Sequence, residues 1–181
     1  MGINVPEYSR LEEPHQVEGS PRESKQSFYE LAYSRTRYCT QEEHLKFEKE
    51  VWGDDWQVSS AMYIVDRNDR TSTNQDEETF VNALDISINK DFFQFEGEDY
   101  SDLIPYAVEH EIYELWLYAK RGYRVQNSQS RHLLARRRQF EMAMKDGKAE
   151  RLLEFYKKRN NLIGNELEYA YNKAKQKIQK N

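Results

Sequence analysis

Residues 108–116 have the sequence VEHEIYELW, in which titratable side chains interrupt an apolar helical pattern. On a helix, His110 and Glu114 lie four residues apart and project from one face, one turn above the other. This spacing allows the two side chains to share a metal ion, and it leaves the carboxylate of Glu111 free to act on a water molecule. The run therefore predicts a metal site on a helix.

The position of Glu111 on the helical wheel strengthens this interpretation. At about 100° per residue, Glu111 falls inside the apolar face of the helix, while His110 and Glu114 lie at its edge. A carboxylate within an apolar face is costly unless it is paired, protonated or close to a metal. The alternative is structural: Glu111 forms an ion pair with an arginine of the next helix, such as Arg137 or Arg138.

The residues on either side of this helix predict an α+β fold. Residues 1–24 are expected to be a flexible tail, and residues 25–181 a single domain. Two stretches rich in β-branched residues, 57–66 and 79–89, predict a small antiparallel sheet whose second strand has one solvated face. The sheet is expected to pack on a mainly helical domain with a helical C-terminal third. Helices are expected over about 25–38, 40–52, 103–121, 130–146, 148–159 and 165–179.

Local signals mark some of the helix ends. Thr40 and Glu43 have the spacing of a capping box, which predicts that the second helix begins there with Leu45 facing the core. Gly147 stands between two helical stretches, where a glycine favours the end of a helix. These signals set the helical boundaries more firmly than periodicity alone.

The formal net charge of −5 conceals a strong asymmetry. Residues 1–114 hold 10 Lys and Arg against 26 Asp and Glu, whereas residues 115–181 hold 17 against 6. A basic C-terminal third could contact nucleic acid, but its charges are spread around the helices, so pairing with the acidic part of the same chain is favoured. A lone Cys39 suits a reducing compartment, and no apolar run is long enough to span a bilayer. A cytoplasmic protein without a membrane partner is expected.

Residues 79–145 resemble the zincin metallopeptidases, particularly small gluzincin-type members. The motif beginning at His110 differs by one residue from HExxH, with Glu114 in place of the second histidine, and the strand at 84–89 precedes it through a short loop. The resemblance implies zinc as cofactor, His110 and Glu114 as ligands, Glu111 as the general base, and a strand that borders the cleft and binds substrate backbone. A carboxylate ligand weakens the metal as a Lewis acid, so the change affects proteolysis more than metal binding.

A third ligand must come from the helix that follows, where His132 and Glu141 are the two candidates. They lie nine residues apart, on opposite sides of the helix, so only one of them can face the site. The gluzincin resemblance favours Glu141. Ligand chemistry favours His132, because Glu114 already supplies a carboxylate, and His132 is the preferred choice.

Three functions are compatible with these features. The first is a metal-dependent hydrolase that acts on a peptide-like bond in a peptide or protein substrate. The second is a non-enzymatic α+β module that binds protein or RNA through its basic C-terminal third. The third is an enzyme-derived regulator that binds the metal without turnover. Metal content separates the first and third functions from the second.

Overall fold

The computed structural model describes residues 22–52, 61–65, 84–121, 128–159 and 164–180. Within this part of the chain, the predicted α+β fold with a mainly helical domain is confirmed. The strands expected at 57–66 and 79–89 are present over Ala61–Val65 and Leu84–Asn89, and the rest of both predictions lies outside the described residues. The tail expected over residues 1–24 is wrong at its end, because the first helix begins at Arg22, and residues 1–21 lie outside the described residues. The helices are α1 (Arg22–Ser34), α2 (Gln41–Trp52), α3 (Ile104–Arg121), α4 (Ser128–Lys145), α5 (Ala149–Arg159) and α6 (Gly164–Ile178).

The main sheet has three strands, with the third strand in the centre. Strand β1 (Thr36–Cys39) pairs in parallel with β3 (Leu84–Asn89), and β2 (Ala61–Val65) pairs with β3 in antiparallel orientation. The predicted antiparallel pair is therefore present, but the added parallel strand makes the sheet mixed. Residues 36–38 were expected to end the first helix. They form a strand because β3 offers them a free edge, a long-range pairing that local sequence does not encode.

Both faces of β3 are covered over residues 86–89, and Asp85 near its start is partly exposed, so the expectation of a solvated face is wrong for most of the strand. Ile86 and Ile88 lie in the hydrophobic core, and Ser87 and Asn89 on the opposite face are equally buried. Helix α2 packs over this second face and places the His44 imidazole against the strand, with its Nδ1 2.8 Å from the Ser87 hydroxyl. The polar residues of β3 are thus paired within the protein.

The buried side of α2 is polar. His44 and Glu48 are almost completely buried, and His44 Nε2 lies 3.2 Å from Glu48 Oε1, whereas Leu45 is only half-buried. Burial lowers the pKa of His44, which outweighs the opposing effect of Glu48. The neutral imidazole therefore links the helix to the sheet through Ser87, a role that the apolar pattern of the helix does not indicate.

Two predicted helix ends are confirmed by their hydrogen bonds. The Glu43 carboxylate accepts a bond of 2.8 Å from the Thr40 N–H, and the Glu43 N–H donates to the Thr40 hydroxyl at 3.3 Å, which completes the capping box before α2. Gly147 has φ of +68°, and the Lys148 N–H donates to the carbonyl of Ala143 at 2.8 Å. This closure of α4 reverses the chain into α5.

The connection from β3 to α3 was expected to be a loop and is instead folded. A 3₁₀ turn at Asp91–Phe93 is followed by a two-stranded hairpin, β4 (Gln94–Phe95) and β5 (Glu98–Asp99), and by a second 3₁₀ turn at Ser101–Leu103. The hairpin turn uses positive φ at Glu96 and Gly97. This compact connection fixes where α3 begins.

Helix α3 is the centre of the domain. It packs against α4 along its length and also contacts α1 and the sheet. Helices α5 and α6 also pack against α4. Phe155 of α5 stacks on Phe93 of the 3₁₀ turn after β3, with 5.3 Å between ring centroids. None of the helices in the described ranges is long and apolar enough to cross a membrane.

We expect Glu48→Ala to lower the stability of the domain by about 1–3 kcal/mol, because it removes a buried acceptor for the His44 ring. Glu42→Ala, on the exposed side of the same helix, is the control and should cost less than about 1 kcal/mol. Urea unfolding at pH 7 measures both variants. Equal midpoints would show that the His44–Glu48 contact does not stabilise the fold.

Candidate metal centre

The packing of α4 along α3 brings three potential metal ligands together. His110 and Glu114 lie one turn apart on α3, and His132 reaches them from the first turns of α4. His132 Nδ1 is 3.1 Å from His110 Nε2 and 3.3 Å from Glu114 Oε2, and the last two atoms are 3.5 Å apart. These residues form the group of His, Cys, Asp and Glu side chains in the described part of the chain that could hold a metal ion.

The triangle formed by these atoms has the dimensions of a metal site. In a tetrahedral zinc site with bonds of 2.0–2.1 Å, neighbouring ligand atoms are about 3.3–3.4 Å apart. The observed separations of 3.1–3.5 Å bracket that value. Two imidazoles and a carboxylate are also a ligand set that zinc accepts. The donor atoms and their spacing therefore fit the expected ion.

Hydrogen bonds alone leave this cluster incompletely satisfied. His110 is only 4% exposed, and its Nδ1 is buried with no hydrogen-bond partner in the described structure. A neutral imidazole has one proton for its two nitrogens. If the proton is on Nε2, Nδ1 is an acceptor without a donor, and if it is on Nδ1, it has no acceptor. Either arrangement costs free energy. A metal ion on Nε2 would place the proton on Nδ1, so the ion would satisfy Nε2 while Nδ1 would still need an acceptor.

The ionisation states of the first two residues suit metal binding at neutral pH. Burial, to which the proximity of His132 and the positive charge of Arg136 add, lowers the pKa of His110 to about 3. Burial by itself would raise the pKa of Glu114, but hydrogen bonds from His110 and His132 outweigh it and bring that pKa to about 2. A neutral imidazole and an ionised carboxylate are the forms that coordinate metals.

Glu111 lies beside this cluster and keeps a proton near neutral pH. Burial, reinforced by the nearby charge of Glu114, raises the pKa of Glu111 to about 8, and Arg136 opposes the shift only in part. Glu111 is half-buried, whereas His110 and Glu114, expected at the edge of the apolar face, are more deeply buried. Helix α4 covers that edge, which the pattern of a single helix cannot show.

The two arginines suggested as ion-pair partners of Glu111, Arg137 and Arg138, pair with other residues. Arg138 Nε lies 2.9 Å from Glu109, and Arg137 Nε lies 3.2 Å from Glu141. In the part of the chain that the structure describes, neither arginine forms an ion pair with Glu111. The nearby positive charge at Glu111 comes from Arg136.

The structure brings His132, and not Glu141, to the pair on α3. The Glu141 carboxylate faces the other side of α4, where Lys177 of α6 is 3.2 Å away and Arg137 is at the same distance. It is therefore engaged in a buried ion-pair network instead of the candidate site. His132 and Glu141 therefore lie on different sides of α4, and of the two only His132 faces His110 and Glu114.

Arg136 is the residue of the site that sequence reasoning missed. Of the three consecutive arginines on α4, only Arg137 and Arg138 were considered near the site, but Arg136 is only 8% exposed and its Nη2 lies 3.0 Å from His132 Nε2. The sequence could have indicated this position, because Arg136 follows His132 by four residues and therefore lies on the same face of the helix.

The position of β3 does not suit the role that the zincin resemblance implies. β3 is the central strand, paired through its main chain with β1 on one side and β2 on the other. A strand whose two edges are both occupied has no main-chain groups left for a substrate backbone. Direct binding of substrate by residues 84–89 is therefore wrong for this structure.

Several basic residues of the C-terminal third pair with the acidic part of the chain. Lys148 and Arg151 both contact Asp102, at 3.1 and 3.4 Å, and Arg138 contacts Glu109. Other pairs, such as Lys157 with Glu168 at 2.6 Å, lie within the third itself. These contacts are of the kind expected if the charge asymmetry is balanced within the chain.

Comparisons with known proteins add no relative to this picture: no family model, no curated protein and no solved structure matches the chain. The resemblance to zincins therefore depends on residues 79–145 themselves. The functional inference depends on the geometry of the site.

We expect Glu111→Gln to stabilise the metal-free protein at alkaline pH. An unfolded glutamate titrates near 4.5 and folded Glu111 near 8, so the folded chain holds a proton that the unfolded chain releases between these values. Stability from this group is complete below about pH 4.5 and is lost as the pH rises to 8. With EDTA at pH 8, the glutamine variant should be more stable by on the order of 1 kcal/mol, about 2–4 °C in Tm.

The difference in Tm between wild type and Glu111→Gln should disappear below about pH 4.5, where the Glu111 side chain is neutral in both the folded and the unfolded chain. Melting curves at intervals between pH 4 and 8 measure it. If the variant is less stable at every pH, Glu111 forms a stabilising ion pair and the protonated state described above is wrong.

Proposed function

We propose that this chain binds zinc through His110, Glu114 and His132 and uses the site to hydrolyse a peptide-like bond. The observation that carries the proposal is the meeting of one nitrogen or oxygen atom from each residue at separations of 3.1–3.5 Å. Two histidines and one glutamate form the ligand set of one class of catalytic zinc site, in which a fourth position stays open.

Zinc is favoured over octahedral ions by the size of the triangle. The same two-histidine, one-carboxylate set also binds ferrous iron. In octahedral sites with bonds of about 2.1 Å, neighbouring ligands are about 3.0 Å apart. Two of the three separations in this protein, 3.3 and 3.5 Å, are closer to the tetrahedral value, and the third, 3.1 Å, is closer to the octahedral one. We therefore propose zinc as the resident ion.

The bound ion would supply Lewis acidity and lower the pKa of a water molecule. Glu111 is the residue of this chain placed to accept a proton from that water, because it follows His110 directly and interacts electrostatically with Glu114. A general base must be ionised, and a nearby divalent cation favours the ionised form of a carboxyl group. The burial of His110 and Glu114 strengthens electrostatic interactions at the site.

The carboxylate of Glu114 sets a limit on this activity. It brings one negative charge more than the histidine of an HExxH motif, so it reduces the effective charge of the ion. Weak hydrolysis is consistent with the proposal. Metal binding without hydrolysis would instead favour the regulator among the functions considered from the sequence.

We expect untagged wild-type protein to bind one equivalent of zinc and His132→Ala to bind it at least about 100-fold more weakly, since one of three ligands is lost. Glu141→Gln is the matched control: it removes the rejected ligand candidate from the same helix, so it should lower stability by weakening the ion pairs with Arg137 and Lys177, but the folded variant should bind zinc like wild type. Mass spectrometry of purified protein and titration with zinc, iron(II) and manganese(II) after EDTA treatment measure both. Failure of the wild type to bind any of these metals would favour the non-enzymatic module.

We expect Glu111→Gln to retain zinc but to lose hydrolysis by a factor of at least about 100, because it removes the base and little volume. A mixture of fluorogenic peptides is the substrate, with His132→Ala as the metal-free reference. Cleavage that persists in Glu111→Gln after repurification would rule out Glu111 as the base. Zinc in wild type with no cleavage in any mixture would contradict the hydrolase proposal while leaving the metal site intact.

A further inference from the structure

Arg136 is a buried guanidinium at the edge of the candidate metal site. It lies one turn after His132 on α4, and its Nη2 donates a hydrogen bond of 3.0 Å to His132 Nε2. Only 8% of its surface is exposed. Its positive charge acts on His110 and Glu111 as well, so it belongs to the electrostatic surroundings of the whole site.

The groups that hold Arg136 in place are neutral. Its Nη1 donates to Gln139 Oε1 at 3.4 Å, and its guanidinium carbon lies 4.7 Å from the centre of the Tyr156 ring. Gln139 in turn donates to the Tyr156 hydroxyl at 3.1 Å, and both residues are buried. This network fixes the plane of the guanidinium without neutralising its charge.

The two arginines that follow differ from Arg136 in this respect. Arg137 and Arg138 form ion pairs with Glu141 and Glu109. Among the residues that the structure describes, no carboxylate forms an ion pair with Arg136. A buried guanidinium without a close anion is costly, and its rigid fork of N–H donors matches a carboxylate. The missing partner of Arg136 is therefore an anion.

The hydrogen bond from Arg136 to His132 conflicts with metal binding by His132. A guanidinium has donors only, so His132 Nε2 must be the acceptor, and the single proton of the neutral ring is then on Nδ1. Nδ1 is the atom that faces His110 and Glu114, and a ligating nitrogen carries no proton. Histidine ligands normally donate their second N–H to an acceptor, which Arg136 cannot be. Arg136 must leave His132 when a metal binds.

We propose that Arg136 is the anion-binding residue of this site and that it exchanges His132 for a carboxylate group of the ligand when the metal is bound. This inference rests on the proposed metal site. The exchange gives the guanidinium the anion that it lacks, and it allows the His132 proton to move to Nε2 so that Nδ1 is free to ligate. Metal and carboxylate therefore bind cooperatively. A carboxylate close to a peptide-like bond is present at the C-terminus of a peptide and in acidic side chains.

The test uses N-acetylglycine, which has a carboxylate beside a peptide bond, and N-acetylglycinamide as its neutral control. Competition with a chelating dye at constant ionic strength measures zinc affinity. In wild type, N-acetylglycine should raise zinc affinity about tenfold and the amide should not. Reciprocally, zinc should raise the affinity for N-acetylglycine by the same factor. N-acetylaspartic acid α-amide, with only its side-chain carboxylate, distinguishes an acidic side chain from a C-terminus as the source.

Two variants separate Arg136 from a general effect of charge. Arg136→Gln should bind zinc about tenfold more tightly than wild type without any anion, because the glutamine oxygen can accept the His132 Nε2 proton. It should also be insensitive to N-acetylglycine. Arg137→Gln removes the same charge one residue away; it should lower stability by breaking the ion pair with Glu141, but the folded variant should match wild type in zinc affinity and in its response to N-acetylglycine. If Arg136→Gln does not fold, the comparison of N-acetylglycine with N-acetylglycinamide on wild type still tests the proposal.

Equal or weaker zinc binding by folded Arg136→Gln, or equal effects of N-acetylglycine and its amide on wild type, would overturn the role of Arg136. Failure of both proteins to bind zinc, with or without N-acetylglycine, would instead overturn the metal site. In that case, thermal melting of wild type and Arg136→Gln without zinc tests whether Arg136 binds an anion. A rise in Tm with N-acetylglycine that requires Arg136 supports it, and the absence of such a rise rejects it.

Discussion

The contact between α3 and α4 is the interaction on which the candidate site depends. Two of its three ligand candidates are fixed by the helical repeat alone, because His110 and Glu114 are one turn apart on α3. The third, His132, is at the site only because α4 packs along α3 in one register, which places its Nδ1 within 3.3 Å of both partners. A shift of α4 by one residue would turn His132 away and bring an arginine or a leucine into its place.

Buried charge is unusually common at this contact, and most of it is paired. Ion pairs tie α3 and α6 to α4, with a buried carboxylate and a more exposed basic side chain in each: Glu109 with Arg138, and Glu141 with Arg137 and Lys177. Removing one member of such a pair is costly because it leaves an uncompensated charge. The pairs therefore favour the register of α4 that brings His132 to α3. Part of the basic charge of the C-terminal third therefore stabilises helix packing, since Arg138 pairs with Glu109 of the acidic part of the chain.

The helices and their ends could be predicted because the signals are local. The capping box of Thr40 and Glu43 and the glycine at 147 act within a few residues of themselves. Strand β1 could not be predicted, since its pairing with β3 joins residues some 50 positions apart in the chain. Its four residues, Thr36–Cys39, begin shortly after α1, and the sequence predicted that this helix would continue to about residue 38.

The candidate site was predictable to the same extent. The spacing of His110 and Glu114 predicts the pair on α3. Helical geometry also shows that only one of His132 and Glu141 can face that pair, but it does not show which one. Selecting one requires knowing which side of α4 faces α3, which is decided by packing with α6, a helix more than 30 residues further along the chain. The burial of Arg136 also depends on packing between helices, because Tyr156 of α5 and Gln139, which bonds to Tyr156, lie against its guanidinium.

The metal-free site holds two protons that metal binding would displace. One is on Glu111, whose pKa burial raises to about 8, and the other is on Nδ1 of His132, where the hydrogen bond from Arg136 keeps it. A divalent cation opposes both, since it favours the ionised carboxyl group and requires a free ring nitrogen. On the proposed function, one event therefore prepares both the ligand and the base. Arg136 then becomes available to a carboxylate at the moment when the site gains the charge to attract one.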